Sequence, residues 1–500
     1  MLLACFFLSI QCHAQYFNLP NEYAFAAAIE KQLAHTDSSI HSGMQPYIQF
    51  FGQKYVMPVD SSAKHRSKYW LSDVLFYRSF VDLNVDSGNF KLRINPIINV
   101  EGGRDLADTV SRNLYTNTRG IIGAGSVGKR FYFETLFSEN QSVFSNYISN
   151  QTKTLEVVPG QGRWKNFKTN GYDYAFSSGF FSFQANKHLN IQAGHGKQKV
   201  GYGYRSLLLT DNALTYPYLR VTQQWLKGKL QYTTVYALFS NLVSASKVIN
   251  PNAERLYQKK AAAFQYLSFN PNKGINVGLF QSLICAPGDS TNTQHLPWQY
   301  FNPLLFSNLA SYGLDSKNNI NIGADLRCKL NSSFNVYAQA LLDYVAGSKR
   351  SKAAGALQFG FNYFDAFSLK GLRIQAEVNH TFGDVYKTEK GALNYTQYGQ
   401  TIGFVPMEGT ELIANLFYRY KRLFVQGKAQ YLQHTASFAA ASTITSLSGN
   451  AGIVVNAAYN MQLSAGALVR MQNFATFSSA NTNYFYLSLR TNIYNFYYDF

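Results

Sequence analysis

The sequence predicts an all-β protein, a transmembrane antiparallel outer-membrane β-barrel of about 16–18 strands with a short N-terminal periplasmic helix. Three observations predict it. Apolar and polar residues alternate along most of the chain, and tight connections alternate with long ones. Of the 500 residues 16% are aromatic and only 14% charged, against about 25% charged in an average soluble chain. No apolar run approaches the length of a membrane-crossing helix, whereas barrel strands face lipid only at every second residue and average out as weakly polar.

Taken in order, residues 1–14 read as a signal peptide: the apolar run of MLLACFFLSIQCHAQ ends in a small-x-Ala pattern, with cleavage after Ala14. Residues 15–46 form a periplasmic segment whose helix spans Pro20–Leu33, with Asn21 as its N-cap. The barrel is expected over 47–500. Leu92, Ile94, Ile98 and Val100 alternate with Lys91, Arg93, Asn99 and Glu101, and Phe131, Phe133 and Phe137 with Arg130, Tyr132 and Glu134. The pattern returns at Leu230–Leu238, Ile320–Arg327, Ile374–Asn379 and Val425–Tyr431. Tight turns are expected at Lys227 with Gly228, Asn270–Gly274 and Leu330–Ser333, and long loops at Ala286–Asn318, Gly383–Gln400 and Gln433–Asn450. Finally Phe485, Leu487 and Leu489 alternate with Tyr486, Ser488 and Arg490 before the chain ends on Tyr497, Tyr498, Asp499 and Phe500. A closing strand ending at Phe500 makes barrel-assembly machinery an expected partner.

Net charge is +18, from 45 basic and 27 acidic residues. The basic residues are dispersed, without a basic helix or an aromatic RNA-binding signature, so nucleic acid is not an expected partner. Outer-membrane lipid, lipopolysaccharide and an acidic surface polysaccharide suit this charge. Cys285 and Cys328 remain after the signal, and whether they pair is open. Without CxxC, HExxH or a Walker loop, no metal or cofactor is expected.

The densest stretch is GHGKQKVGYGYRSLLLTDNALTYPYLR, Gly194–Arg220. His195, Ser206 and Asp211 are the residue types of a nucleophilic triad. However, Gly201 to Gly203 makes a turn between them, and Ser206 followed by three leucines reads as a strand start and not as a nucleophile elbow. The glycines read as a bend, with Lys197, Lys199 and Arg205 lining the inside. The expected protein is therefore not an enzyme.

The same run resembles the signature of the Wzi capsule-assembly family, carried by Gly201, Gly203, Ser206, Leu207, Leu208, Leu209, Asn212, Ala213 and Pro217. With Tyr204, Arg205, Asp211 and YPYLR it is similar to the Bacteroidetes branch often labelled after the gliding-motility protein RemB. HSGMQPY (His41–Tyr47), QYFNPLLF (Gln299–Phe306), DSKNN (Asp315–Asn319), LNYTQYGQTIG (Leu393–Gly403) and TNIYNFYYDF extend the resemblance, while FVPMEGTEL after Gly403 departs from it. The resemblance implies a monomeric barrel of about eighteen strands that holds capsular or exopolysaccharide, lectin-like, at the cell surface. Expected ligand contacts are Lys197, Arg205, Asp211, Asn212, Trp298, Tyr300, Tyr395 and Gln397, because aromatic faces suit pyranose rings and amides or cations suit hydroxyls and acidic groups. Gly201, Gly203, Ser206 and Pro217 are expected to be structural. The loop aromatics equally suit an interfacial girdle. Two other functions stay open: a gliding or secretion barrel with a cell-surface protein partner, and an outer-membrane lipid hydrolase.

Overall fold

The computed structural model describes residues 30–33, 40–48, 67–85, 89–244, 257–286, 296, 298–307, 318–345, 354–388, 391–404, 409–434, 442–474, 479–491 and 496–500. Eighteen antiparallel strands close into a barrel. They are β1 (Phe90–Asp105), β2 (Asn113–Val127), β3 (Phe131–Val143), β4 (Gly171–Asn186), β5 (Leu189–Gly196) and β6 (Tyr216–Trp225). Then come β7 (Leu230–Ser244), β8 (Tyr257–Phe269), β9 (Ile275–Cys285), β10 (Asn319–Lys329), β11 (Phe334–Val345) and β12 (Ala354–Phe364). The circuit ends with β13 (Leu372–Phe382), β14 (Gly409–Tyr420), β15 (Leu423–His434), β16 (Ser442–Asn456), β17 (Met461–Phe474) and β18 (Ala480–Arg490). Closure pairs β18 with β1, Arg490 opposite Asn99.

Alternation explains why the barrel is inside out. Leu487, Leu447 and Phe181 are 60–70% exposed on the outer wall, at 68%, 62% and 61%. Their neighbours in sequence turn inward, and the fully buried Arg220, Lys260, Asn276, Asn321 and Glu411 belong to that inner face. Such a distribution would be ruinous in water; lipid outside and a hydrogen-bonded lumen inside make it stable. No helix of the described residues is long and apolar enough to cross a membrane.

The turns at Lys227 with Gly228, 270–274 and 330–333 form as expected on one end of the barrel, and the long connections lie at the other. The expected loop over Gln433–Asn450 is strand at both ends: Gln433 and His434 finish β15, Ser442–Asn456 is β16, and residues 435–441 lie outside the described residues. Its serines and threonines resemble loop chemistry because a polar lumen selects the same residues; Ser446, buried, donates to Gln430. The closing strand ends at Arg490 and not at Phe500. Residues 496–500 lie inside the barrel instead, where Tyr497 and Asp499 find polar partners.

Of the expected N-terminal helix, Glu30–Leu33 is described and helical. It sits on the short-turn end, with Lys31 Nζ 2.8 Å from Asp365 and Lys329 Nζ donating to the Leu33 carbonyl. The signal peptide and the rest of that helix lie outside the described residues. Three helical segments were not expected: α1 (Trp70–Phe76), α2 (Asn146–Leu155) and α3 (Trp298–Phe301). Cys285 and Cys328 are both free, at opposite ends of the β9–β10 hairpin.

Candidate functional site

The signature stretch is a plug. Between β5 and β6 the chain leaves the wall and crosses the lumen, pairing Lys199 and Val200 with Gln45 and Met44 of the N-terminal segment. Leu207, Leu208 and Leu209 are fully buried in one apolar cluster with Phe239, Phe264, Tyr386 and Tyr395. The expected strand at 206–209 is therefore a loop, apart from a single bridge between Val200 and Leu209. Ser206 holds its curvature: the hydroxyl donates to the Val200 carbonyl and accepts from the Leu208 and Leu209 amides at 3.2 Å. The glycines allow close approach to the wall. A Cβ on Gly201, at φ +126°, would meet the Gln339 amide, and one on Gly203 would lie 2.2 Å from Glu377 Oε2. Pro217 is exposed on the outer wall at the start of β6, where its missing N–H disturbs the ladder least.

A second loop clamps the first. The Tyr386 and Tyr395 hydroxyls donate to the carbonyls of Leu207 and Leu208 at 2.7 and 2.6 Å, and Gln397 donates to Thr215. Of the expected ligand contacts, Tyr395 and Gln397 thus hold the plug. Lys197 donates to the Gly160 carbonyl; burial lowers its ammonium to about 8, partly offset by the charge of Asp211. Asp211 accepts from Tyr497, and Asn212 sits half-buried beside Gly160.

Arg205 is the centre of the polar core. Its guanidinium donates to Glu411 at 2.7 Å and to the Asp499 carboxylate at 3.1 Å, while Glu377 accepts the Tyr204 and Arg205 amides. Asp499 also accepts from Tyr204 Oη at 2.6 Å and Lys428 Nζ at 2.8 Å. Burial alone would push the Asp499 carboxyl up, but Arg205 and Lys428 more than offset it and hold the group well below the usual carboxylate range.

Beside this node the lumen is hollow. A cavity of about 340 Å³ lies between the plug with residues 496–499 and the wall formed by β14–β18, β1 and β2. Tyr147, Tyr484, Tyr486 and Tyr498 give it aromatic faces, and Gln426, Lys428, Arg470 and Arg490 give it donors. Three buried polar atoms on this lining have no hydrogen-bond partner: Asn99 Oδ1, Asn450 Oδ1 and Arg470 Nε. Orphaned atoms occur on the plugged side too, such as Arg220 Nη2, but outside this cavity's lining. None of these cavity residues was singled out from the sequence as a ligand contact, although the inward parity of those on strands, such as Asn99, Lys428, Tyr486 and Arg490, was readable.

The loop after β9 goes the other way. Residues 298–306 lie on the outside of the barrel against β7, β8 and β9, where the carbonyls of Phe301, Asn302 and Pro303 accept from Tyr236, Gln265 and Tyr232. Tyr300 packs on Tyr236 and donates to the Ala237 carbonyl. So Tyr300 faces the outer wall and is separated from Arg205 and Asp211 by the barrel itself; Trp298 belongs to the same segment. The triad types are likewise divided: His195 pairs with Pro217 on the outer face of the wall, while Ser206 and Asp211 are engaged inside. No group of metal-ligating side chains occurs among the described residues.

No family model matches the sequence, and no curated protein matches it. Among solved structures the chain is similar to Wzi, described as an outer-membrane protein involved in group 1 capsule assembly in Escherichia coli and a carbohydrate-binding β-barrel. The TM-score is 0.55 at 13% identity, covering 95% of this chain and 99% of that chain. OccAB2 of Acinetobacter baumannii scores 0.48 at 10% identity, over 80% of this chain and 97% of that one. OpdK, an outer-membrane protein of Pseudomonas aeruginosa, scores 0.47 at 9% identity, over 80% and 98%. The likeness to Wzi is one of fold: this chain is a closed barrel of the outer-membrane type with the Wzi architecture.

Proposed function

We propose that the protein is a non-enzymatic, lectin-like outer-membrane barrel of the Wzi type, which holds an acidic capsular or exopolysaccharide at the cell surface. The observation that carries this reading is the cavity's mixed lining, flat tyrosine faces beside Arg490, Arg470 and unpartnered amide oxygens. Sugar rings stack on the tyrosines, hydroxyls satisfy Asn99 and Asn450, and uronate carboxylates meet the cations. The carbohydrate-binding Wzi barrel supports it as a fold relative, and so does the resemblance of the 201–217 run to the Wzi family signature.

The test is binding of an oligogalacturonate, with maltoheptaose as the neutral control, to the purified barrel in detergent. Oligogalacturonate is expected to bind, with affinity falling as salt rises. Arg490→Gln is expected to weaken it about tenfold or more, the worth of one hydrogen bond to a charged group. Binding of neither glycan, or of both alike, contradicts the reading; the gliding or secretion alternative instead predicts a surface protein as the ligand.

A further inference from the structure

Residues 496–500 are held in the lumen by side chains. They join no strand, and the carbonyls of Asp499 and Phe500 accept from side chains, Gln430 at 2.8 Å and Arg470 at 2.8 Å. The strongest attachment is one carboxylate. Asp499 is surrounded by Tyr204 Oη, Arg205 Nη1 and Lys428 Nζ, an arrangement that suits a carboxylate whether it arrives on this tail or on another molecule.

The place of this arrangement matters as much as its chemistry. Tyr204, Lys428, Tyr498 and Asp499 all line the cavity, so the tail stands between its open space and the guanidinium of Arg205. The Lys428 side chain keeps 24% of its surface exposed, whereas that of Arg205 keeps 5%. Arg205 and Lys428 are balanced by Glu411 and Asp499. A ligand carboxylate replacing Asp499 preserves that balance, while a neutral sugar in its place leaves a buried cation unpaired.

We propose that Tyr204, Arg205 and Lys428 form a carboxylate subsite of the cavity which Asp499 occupies as an internal stand-in, so that a uronate-bearing saccharide engages it by displacing residues 496–500. This rests on the cavity being the saccharide site. The tail then sets a threshold for binding, because the apparent affinity is reduced by the fraction of molecules with the subsite free.

Asp499→Asn, and separately deletion of 496–500, tests this on the full barrel. Both are expected to bind oligogalacturonate about tenfold more tightly than the unaltered chain, with maltoheptaose unchanged. Adding Lys428→Gln to Asp499→Asn is expected to abolish the gain. Equal or weaker oligogalacturonate binding by both variants overturns the proposal. A second measurement needs no variant: oligogalacturonate is expected to accelerate hydrogen exchange in residues 496–500 of the unaltered chain, and unchanged or slower exchange overturns the displacement. The cavity reading fails separately, when neither the unaltered chain nor any variant binds and Arg490→Gln changes nothing. If Arg490→Gln weakens binding while the Asp499 variants do not strengthen it, only the tail's role falls.

Discussion

The two sides of the lumen obey one patterning rule and reach opposite ends. On the side of β6–β12 the inward residues meet residues 199–215, 386–388 and 391–404, which bring four leucines and two tyrosines, among others, into an apolar cluster. On the side of β14–β18, β1 and β2 the inward residues are as polar, but the described residues leave about 340 Å³ unfilled. Inward polarity therefore does not mark a ligand site; inward polarity facing open space does. The residues with the most elaborate chemistry in the sequence, Arg205 and Asp211, serve the boundary between the sides, and the plainer alternating positions of β16–β18 face the cavity.

The comparison breaks first at Arg205. Arg205→Met leaves Glu411 buried without its cation and Asp499 with Lys428 alone, which costs about 3–5 kcal/mol. Hydrogen exchange at Leu207–Leu209 is expected to accelerate accordingly; unchanged protection would mean that the plug is held by its apolar cluster alone.

A smaller effect is expected on the outer wall. Gln265 and Gln281 face each other there, fully buried and hydrogen-bonded at 2.8 Å under residues 298–306, while Phe301 and Leu304 of that segment are exposed outward. Pro303 reaches Tyr232, at the level of Leu279, about 20 Å along the strand from Cys285 at 3.3 Å per residue. Deleting 298–306 turns these polar groups toward lipid and is expected to lower unfolding stability by about 1–3 kcal/mol per orphaned group. Adding Gln265→Leu and Gln281→Leu is expected to restore much of it. A deletion with no change in urea midpoint would contradict this role of residues 298–306.

The smallest effect concerns pH. Because Asp499 is held below its ordinary value of 3.8, its contribution to docking the tail is fully present above that value and is lost only as pH falls further, through its lowered folded value. Exchange protection of 496–500 is therefore expected to be flat from pH 7 to pH 5. A loss within that window would place the tail's attachment elsewhere.

Much of the barrel was legible because lipid and lumen impose a period of two, as at Phe485–Arg490 and Val425–Tyr431. The failures share a cause. Serines and threonines of Ser442–Asn450 look like a loop, and three leucines after Ser206 look like a wall strand, because neither composition says whether a residue meets lipid, lumen or plug. Trp298 and Tyr300 were grouped with the sugar contacts for the same reason: a long loop in the sequence does not reveal which side of the wall it descends. The Arg205 node was out of reach, since Glu377, Glu411 and Asp499 come together only when the barrel closes.

The central claim is that the hollow side, and not the plugged one, holds an acidic saccharide. Oligogalacturonate affinity measured side by side for Arg490→Gln, on the cavity wall, and Lys260→Gln, buried against the 386–404 loop, tests it most directly. The expected result is a loss of about tenfold or more for Arg490→Gln and no change for Lys260→Gln. Equal losses, or a loss confined to Lys260→Gln, would contradict it.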